Sequence, residues 1–156
     1  AMNRMPEVEH LPACDYYGLG VVPYSPLARG VLTGKYAPKD SPPKESRAGQ
    51  NDPRMMQSEW REESLVIAQT LKTYAEVRDI TAGQFALAWV LNNKLVHSAI
   101  AGPRTLAQWE ENLGALTYQI TDDDESLVDS LVPPGHPSTP GYTDPAYPIQ
   151  GRVPRN

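Results

Sequence analysis

Between residues 58 and 76, Trp60, Ile67, Leu71 and Tyr74 recur at intervals of seven, four and three, with Leu65, Ala68 and Ala75 beside them. That spacing lays an apolar stripe along one helical face and predicts a helix resuming near Ser58. Thr81 opens a second helix: Gln84 completes a capping box, and Ile80 is placed to staple onto Phe85. Residues 85–91 are apolar on nearly every side, the pattern of a helix buried between two partners. Thr105, with Gln108 three residues on, and Thr121, followed by Asp122, Asp123, Asp124 and Glu125, open two more. The acidic run reads as a solvated helix start. Two short apolar runs, residues 21–24 and 95–101, read as buried strands. A weak helix over residues 7–17, stopped by Gly18 and Gly20, precedes the first of them. Helix, turn and strand in that order make an α/β unit.

The 16 prolines sharpen this division. Six lie between Pro23 and Pro53 and seven between Pro133 and Pro154, whereas residues 54–132 hold only Pro103. Because proline breaks helix interiors, the middle should be helical and the flanks rich in loops. A loop as long as residues 25–53 is usually functional or disordered. The expected organisation is a main unit over residues 2–132 and a proline-rich tail over residues 133–156. Tyr142 and Tyr147 make that tail too apolar for a plain linker, so it should dock.

Composition bounds the function less tightly. The 156 residues are 40% hydrophobic and 21% charged, with a net charge of −5, which disfavours a nucleic-acid partner. No apolar run is long enough for a membrane span, and no secretory signal is visible. Met2 reads as the encoded start, with Ala1 left from tag removal. Cys14 is the single cysteine, which suits a reducing cytoplasm. His10, His97 and His136 are scattered and give no metal-ligand spacing; His10 and His97 read as structural.

Both strand-to-helix junctions carry groups suited to anions. Tyr24-Ser25-Pro26-Leu27-Ala28-Arg29-Gly30, followed by Thr33-Gly34-Lys35, offers a hydroxyl, permissive glycines and two cations. Gly102-Pro103-Arg104-Thr105 lies at a helix start, where free amides, the helix dipole and a guanidinium favour phosphate. Each junction alone is compatible with an ordinary turn, and Tyr24 with a core residue.

Read together, the junctions resemble a known family. The stretch Val22-Pro23-Tyr24-Ser25-Pro26-Leu27-Ala28-Arg29-Gly30-Val31-Leu32-Thr33-Gly34-Lys35-Tyr36 is similar to the seventh-strand cofactor segment of aldo-keto reductases. Residues 84–91 resemble the penultimate barrel helix. Residues 100–105, with Gln108, Glu111 and Asn112, resemble the eighth-strand segment that grips the adenosine phosphate. The opening Asn3-Arg4 and Leu11-Pro12-x-Cys14 are similar to the stretch after the sixth strand, and Gly141-Tyr142-Thr143-Asp144-Pro145 to a bacterial subgroup.

The resemblance implies the carboxyl-terminal portion of a (β/α)8 barrel: an α/β fold, mostly helical, with two short parallel strands and an incomplete barrel. It implies NADP(H) as cofactor. Tyr24 would stack on the nicotinamide, Ser25, Pro26, Leu27, Ala28 and Gly30 would line the pyrophosphate, and Arg29 and Lys35 would stand nearby. Arg47 would close over the cofactor. Gly102, Arg104 and Gln108 would surround the 2′-phosphate, and Glu111 and Asn112 would hold the adenine. No catalytic residue and no metal ligand is carried over, because the family's catalytic aspartate, tyrosine, lysine and histidine lie on earlier strands. Such barrels typically need about 250 residues. The complete enzyme would reduce a small-molecule aldehyde or ketone, and the chain alone should be nearly inactive. Its partners would be a missing amino-terminal half or a second copy. The alternative is a non-catalytic nucleotide-binding or interaction module built on the same fold.

Overall fold

A computed structural model of the chain describes residues 1–148. Six α-helices form among them: α1 (His10–Tyr16), α2 (Pro53–Ser58), α3 (Glu62–Glu76), α4 (Ala82–Asn92), α5 (Leu106–Gly114) and α6 (Asp122–Leu131). Helical structure thus resumes at Pro53, before the predicted point. The cause is local: the Asp52 carboxylate accepts from the Met55 amide at 2.9 Å, and Pro53 occupies the first turn, where its missing N–H costs nothing.

Of the predicted stripe, Ile67 and Leu71 are buried together with Leu65, Ala68 and Ala75, whereas Tyr74 is half-buried and Trp60 lies before the helix, which starts only at Glu62. At the start of α4 the capping box is formed: Gln84 N donates to Thr81 Oγ1 at 3.1 Å and Thr81 N to Gln84 Oε1 at 3.0 Å. Helix α4 then buries Phe85, Ala86, Leu87 and Ala88 against α3, α5 and the segment Ala28–Thr33. Phe85 is fully enclosed, with Tyr74 edge-on at 5.7 Å and Tyr118 tilted at 6.2 Å between ring centroids. Thr105 caps α5, but the Gln108 side chain reaches the Arg104 amide at 2.7 Å, one residue short of a reciprocal box.

The two expected strands are reduced to a contact. Residues 21–24 and 97–100 run side by side, with His97 N donating to Val21 O and Ile100 N to Pro23 O, each at 2.9 Å. A single parallel bridge, Tyr24 to Ile100, joins them, and no longer ladder forms among the described residues. Pro23 has no N–H to give, and among the described residues neither segment has a second neighbour to complete a sheet. His97 has the structural role expected of it, accepting from the Val21 amide at 3.1 Å.

The acidic start of α6 is not simply solvated. Asp122 and Asp123 are exposed, but Asp124 is fully buried. It accepts from Tyr74 Oη at 2.8 Å, Tyr118 Oη at 3.0 Å and the Thr121 amide at 2.8 Å, with Arg78 Nε 3.4 Å away. Burial opposes its ionisation, but the bonds from Thr121, Tyr74 and Tyr118 win, holding the carboxyl below its ordinary range. Burial, with Asp124 as neighbour, pushes Tyr74 up to about 12, so it stays a donor.

The tail docks on α2 and α3. Ser138 Oγ meets Ser64 Oγ at 2.8 Å, and the Arg61 guanidinium lies 3.8 Å from the centroid of the Tyr142 ring. Tyr142 Oη donates to the Gln57 carbonyl at 2.8 Å, and Arg54 grips Asp144 through two bonds of 2.9 and 2.6 Å. The early and late parts of the chain meet as well: Arg4 N donates to His136 O, and Ser138 N to Met2 O. Residues 149–156 of the expected tail lie outside the described residues. No helix of the described residues is long and apolar enough to cross a membrane, and none of their His, Cys, Asp and Glu residues form a group able to hold a metal ion.

Several large apolar side chains face outward. Val22, Tyr24 and Ile100 are exposed along the bridged segments, as are Tyr16 at the end of α1 and Tyr17 just after it. On α5, Leu106, Trp109 and Leu113 form an exposed stripe at helical spacing, continued by Leu116.

Candidate nucleotide cleft

The turn after the first bridged segment is wound against its preference. Ser25, Ala28 and Arg29 have φ of 53°, 47° and 52°, and Gly30 has 94°. Three non-glycine residues in the left-handed region cost of order 1 kcal/mol or more each, and such strain concentrates at functional sites. The winding is held by Ala28 N to Ser25 O at 2.9 Å, Gly30 N to Leu27 O at 2.8 Å and Thr33 Oγ1 to Gly30 O at 2.8 Å. Ala28 is turned into the core, while its neighbours face a cleft.

That cleft has a volume of about 470 Å³ and lies between the two strand-to-helix junctions. Tyr24, Ser25, Pro26, Leu27, Arg29, Gly30 and Lys35 form one wall, and Gly102, Arg104, Gln108, Glu111 and Asn112 the other, with Arg47 contributed by the long loop. Thirteen of the fourteen residues singled out from the sequence therefore meet in one place. The exception is Ala28, whose side chain packs under the turn. Tyr24 is not a core residue: it is 70% exposed, with its ring free at the rim. Thr33, Gly83, Ile100, Ala101 and Pro103 also line the cleft and were not marked by any chemistry of their own.

The electrostatics of the cleft run against those of the chain. Arg29, Lys35, Arg47 and Arg104 line it, and Glu111 is the one carboxylate among its lining residues. Glu111 is already engaged, accepting from Thr81 Oγ1 at 2.7 Å. A concentration of four cations in a chain of net charge −5 makes an anion trap. Arg29 Nε is buried with no hydrogen-bond partner among the described residues, an orphan donor beside the cleft. Gly30 leaves a shallow cradle: a Cβ there would come within 3.2 Å of Lys35 Nζ, while one at Gly102 would meet nothing within 4 Å. These features suit a phosphate-bearing ligand.

Arg47 is set by its loop. Ser46 Oγ donates to Pro43 O at 2.6 Å and accepts from Gly49 N at 3.1 Å. A Cβ on Gly49 would sit 2.1 Å from Pro43 O, so the turn closes only around glycine. Asp52 N donates to Arg47 O at 3.0 Å, and Asp52 Oδ2 takes Arg47 Nη1 at 3.2 Å. The Met55 amide bond, with help from Arg47 and Arg29, holds the Asp52 carboxyl below its ordinary range. Asp52 does not line the cleft, but it holds Arg47 there, a link that no sequence expectation named. Its signal was the Asp-Pro pair at a helix start.

The model of the aldo/keto reductase family matches residues 1–133. The chain belongs to the aldo/keto reductase family. Among relatives, a probable voltage-gated potassium channel subunit beta of Oryza sativa subsp. japonica is 35% identical over 130 residues, covering 80% of this chain and 40% of its own. Aldo-keto reductase str7 of Strobilurus tenacellus is 33% identical, with 81% of this chain and 37% of its own covered. Aldo-keto reductase yakc, named for NADP(+), of Schizosaccharomyces pombe is 31% identical, with 83% and 41% covered. The chain thus spans about two fifths of the length of these curated relatives. Membership in the aldo/keto reductase family implies a (β/α)8 barrel, of which the helices and the paired segments described here are consistent parts.

Proposed function

We propose that this chain is the nucleotide-holding part of an aldo-keto reductase and that its cleft takes NADP(H). The observation that carries this is the convergence of Arg29, Lys35, Arg47 and Arg104 on one cleft beside the free Tyr24 ring. In this reading Tyr24 stacks against the nicotinamide, and the strained turn with Arg29 and Lys35 receives the pyrophosphate. Gly102, Arg104 and Gln108 receive the 2′-phosphate, and Glu111 and Asn112 flank the adenine. When bound, the cofactor supplies the hydride. The chain's own residues bind it, orient it and screen it from water. Proton delivery to an aldehyde or ketone oxygen falls to residues outside this chain, so the chain alone reduces carbonyls little or not at all. General acid catalysis typically contributes about 10²–10⁴-fold. The test is titration of the purified chain with NADPH, read by nicotinamide fluorescence, beside a carbonyl-reduction assay. Saturable binding without turnover is expected. No binding at millimolar NADPH removes the nucleotide reading, and ordinary turnover removes the division of labour.

The outward-facing apolar groups support a partner. The exposed edges at Val22, Tyr24 and Ile100 and the α5 stripe would be covered by the remaining barrel segments, or by a second copy when those are absent. Burying each large apolar side chain is worth about 1.5–3 kcal/mol. Light scattering of the isolated chain should show self-association, and a monodisperse monomer counts against this.

A second reading is a module that holds nucleotide without reduction. It draws on relatives in Oryza sativa and Arabidopsis thaliana, both named probable voltage-gated potassium channel subunit beta. Persistent binding without turnover, even with the rest of the barrel supplied, would favour it.

A further inference from the structure

We propose that residues 138–144 form a strap that sets the position of Arg47 through α2, which makes Asp144 and Tyr142 positioning residues for the cleft. The inference rests on the nucleotide reading for its ligand and on hydrogen bonding for its mechanism.

Asp52 is the junction between α2 and the Arg47 loop. One carboxylate oxygen caps α2 at the Met55 amide, the other holds Arg47 Nη1, and the Asp52 amide is tied to the Arg47 carbonyl. Wherever the first turn of α2 goes, Asp52 goes, and Arg47 with it. Helix α2 is only six residues long, and although Met55 is buried in the core at its centre, a helix this short leaves the direction of its two ends to other contacts. The tail supplies them. Asp144 takes both terminal nitrogens of Arg54, the second residue of α2, and Tyr142 Oη bonds the Gln57 carbonyl in its last turn. Between them, Arg61 lies against the Tyr142 ring and donates to Thr139 Oγ1 at 2.8 Å. The strap therefore fixes α2 at both ends. A bidentate arginine–carboxylate pair defines direction as well as distance, which suits a positioning role.

The test uses the whole chain and two readouts. The first needs no ligand: the rate of trypsin cleavage after Arg47. In Asp144→Asn it should rise by about threefold to tenfold, as expected for losing one charge-assisted pair. Asp144→Glu, which keeps the carboxylate, should restore much of the protection, and Arg54→Gln should mimic the loss. The second readout is NADPH affinity in a double-mutant cycle. Asp144→Asn should weaken binding by a similar factor when Arg47 is present and have no further effect in an Arg47→Ala background. A purely structural role for the tail would give the same loss in both backgrounds. Unchanged cleavage in both Asp144→Asn and Arg54→Gln, or a full affinity loss persisting without Arg47, overturns the strap. Faster cleavage in a chain that binds no NADPH leaves the strap standing and removes the nucleotide reading instead.

Discussion

Replacing Arg29 and Arg104 together by glutamine should weaken NADPH binding by about 100-fold or more, since each charge-assisted hydrogen bond contributes about 1.5–3 kcal/mol. The two arginines stand on opposite walls of the cleft, so their contributions should nearly add. Arg29 has a second role. It lies close enough to Asp52, Glu59 and Asp144 to favour the charged form of each. Those carboxylates lie outside the cleft lining, so losing Arg29 leaves more uncompensated negative charge behind its wall, in the same direction as the lost attraction. Arg104 acts at the proposed 2′-phosphate end, so the single Arg104→Gln change should narrow the preference for NADPH over NADH. Fluorescence titrations with both nucleotides, at low and moderate salt, check this. Equal losses for NADPH and NADH in Arg104→Gln would remove that residue from the 2′-phosphate.

Asp124→Ala should cost the fold about 3 kcal/mol, a loss typical of breaking a buried charged network from one side. The carboxylate is fully buried and serves Tyr74 from α3, Tyr118 from the connection after α5, and the Thr121 amide of its own helix. Removing it leaves two tyrosine hydroxyls and the Arg78 guanidinium facing an empty site. The effect depends on pH in a defined direction. The native carboxyl is held below its unfolded value, so its contribution is complete above the ordinary carboxylate range. It is lost as pH falls through the depressed native value. Urea unfolding of the two proteins should show the full gap at neutral pH and a closing gap in acid. A gap independent of pH would mean that cavity formation, not charge, sets the cost.

Periodicity made the helical middle legible. The α3 stripe, the Thr81 capping box and the enclosure of Phe85 all follow from side-chain spacing, which depends on nearest neighbours along the chain. The cleft was legible for a different reason: two junctions about 75 residues apart carried phosphate-type chemistry in family order. Three features escaped. Asp124 looked solvated because its partners, Tyr74 and Tyr118, lie on other elements, and no local pattern names them. Helix α2 was hidden among prolines, although Asp52-Pro53 was a start signal. The two strands fell short of expectation because strand pairing is a tertiary property: the pairing stops at one bridge, Pro23 offers no donor, and no further strand among the described residues extends the sheet.

The meeting of Met2 and Arg4 with residues 136–138 has a consequence in time. Contacts spanning some 130 positions are among the last to form, because closing so long a loop loses entropy before any bond is made. The strap follows directly after them in the sequence. During synthesis, α3 and α4 can pack while the tail is still being added, but α2 and the Arg47 loop wait for it. On the proposed strap, the Arg47 side of the cleft should be the last part to settle, and a ribosome-bound chain halted before Asp144 should carry packed α3 and α4 beside an unset Arg47 loop.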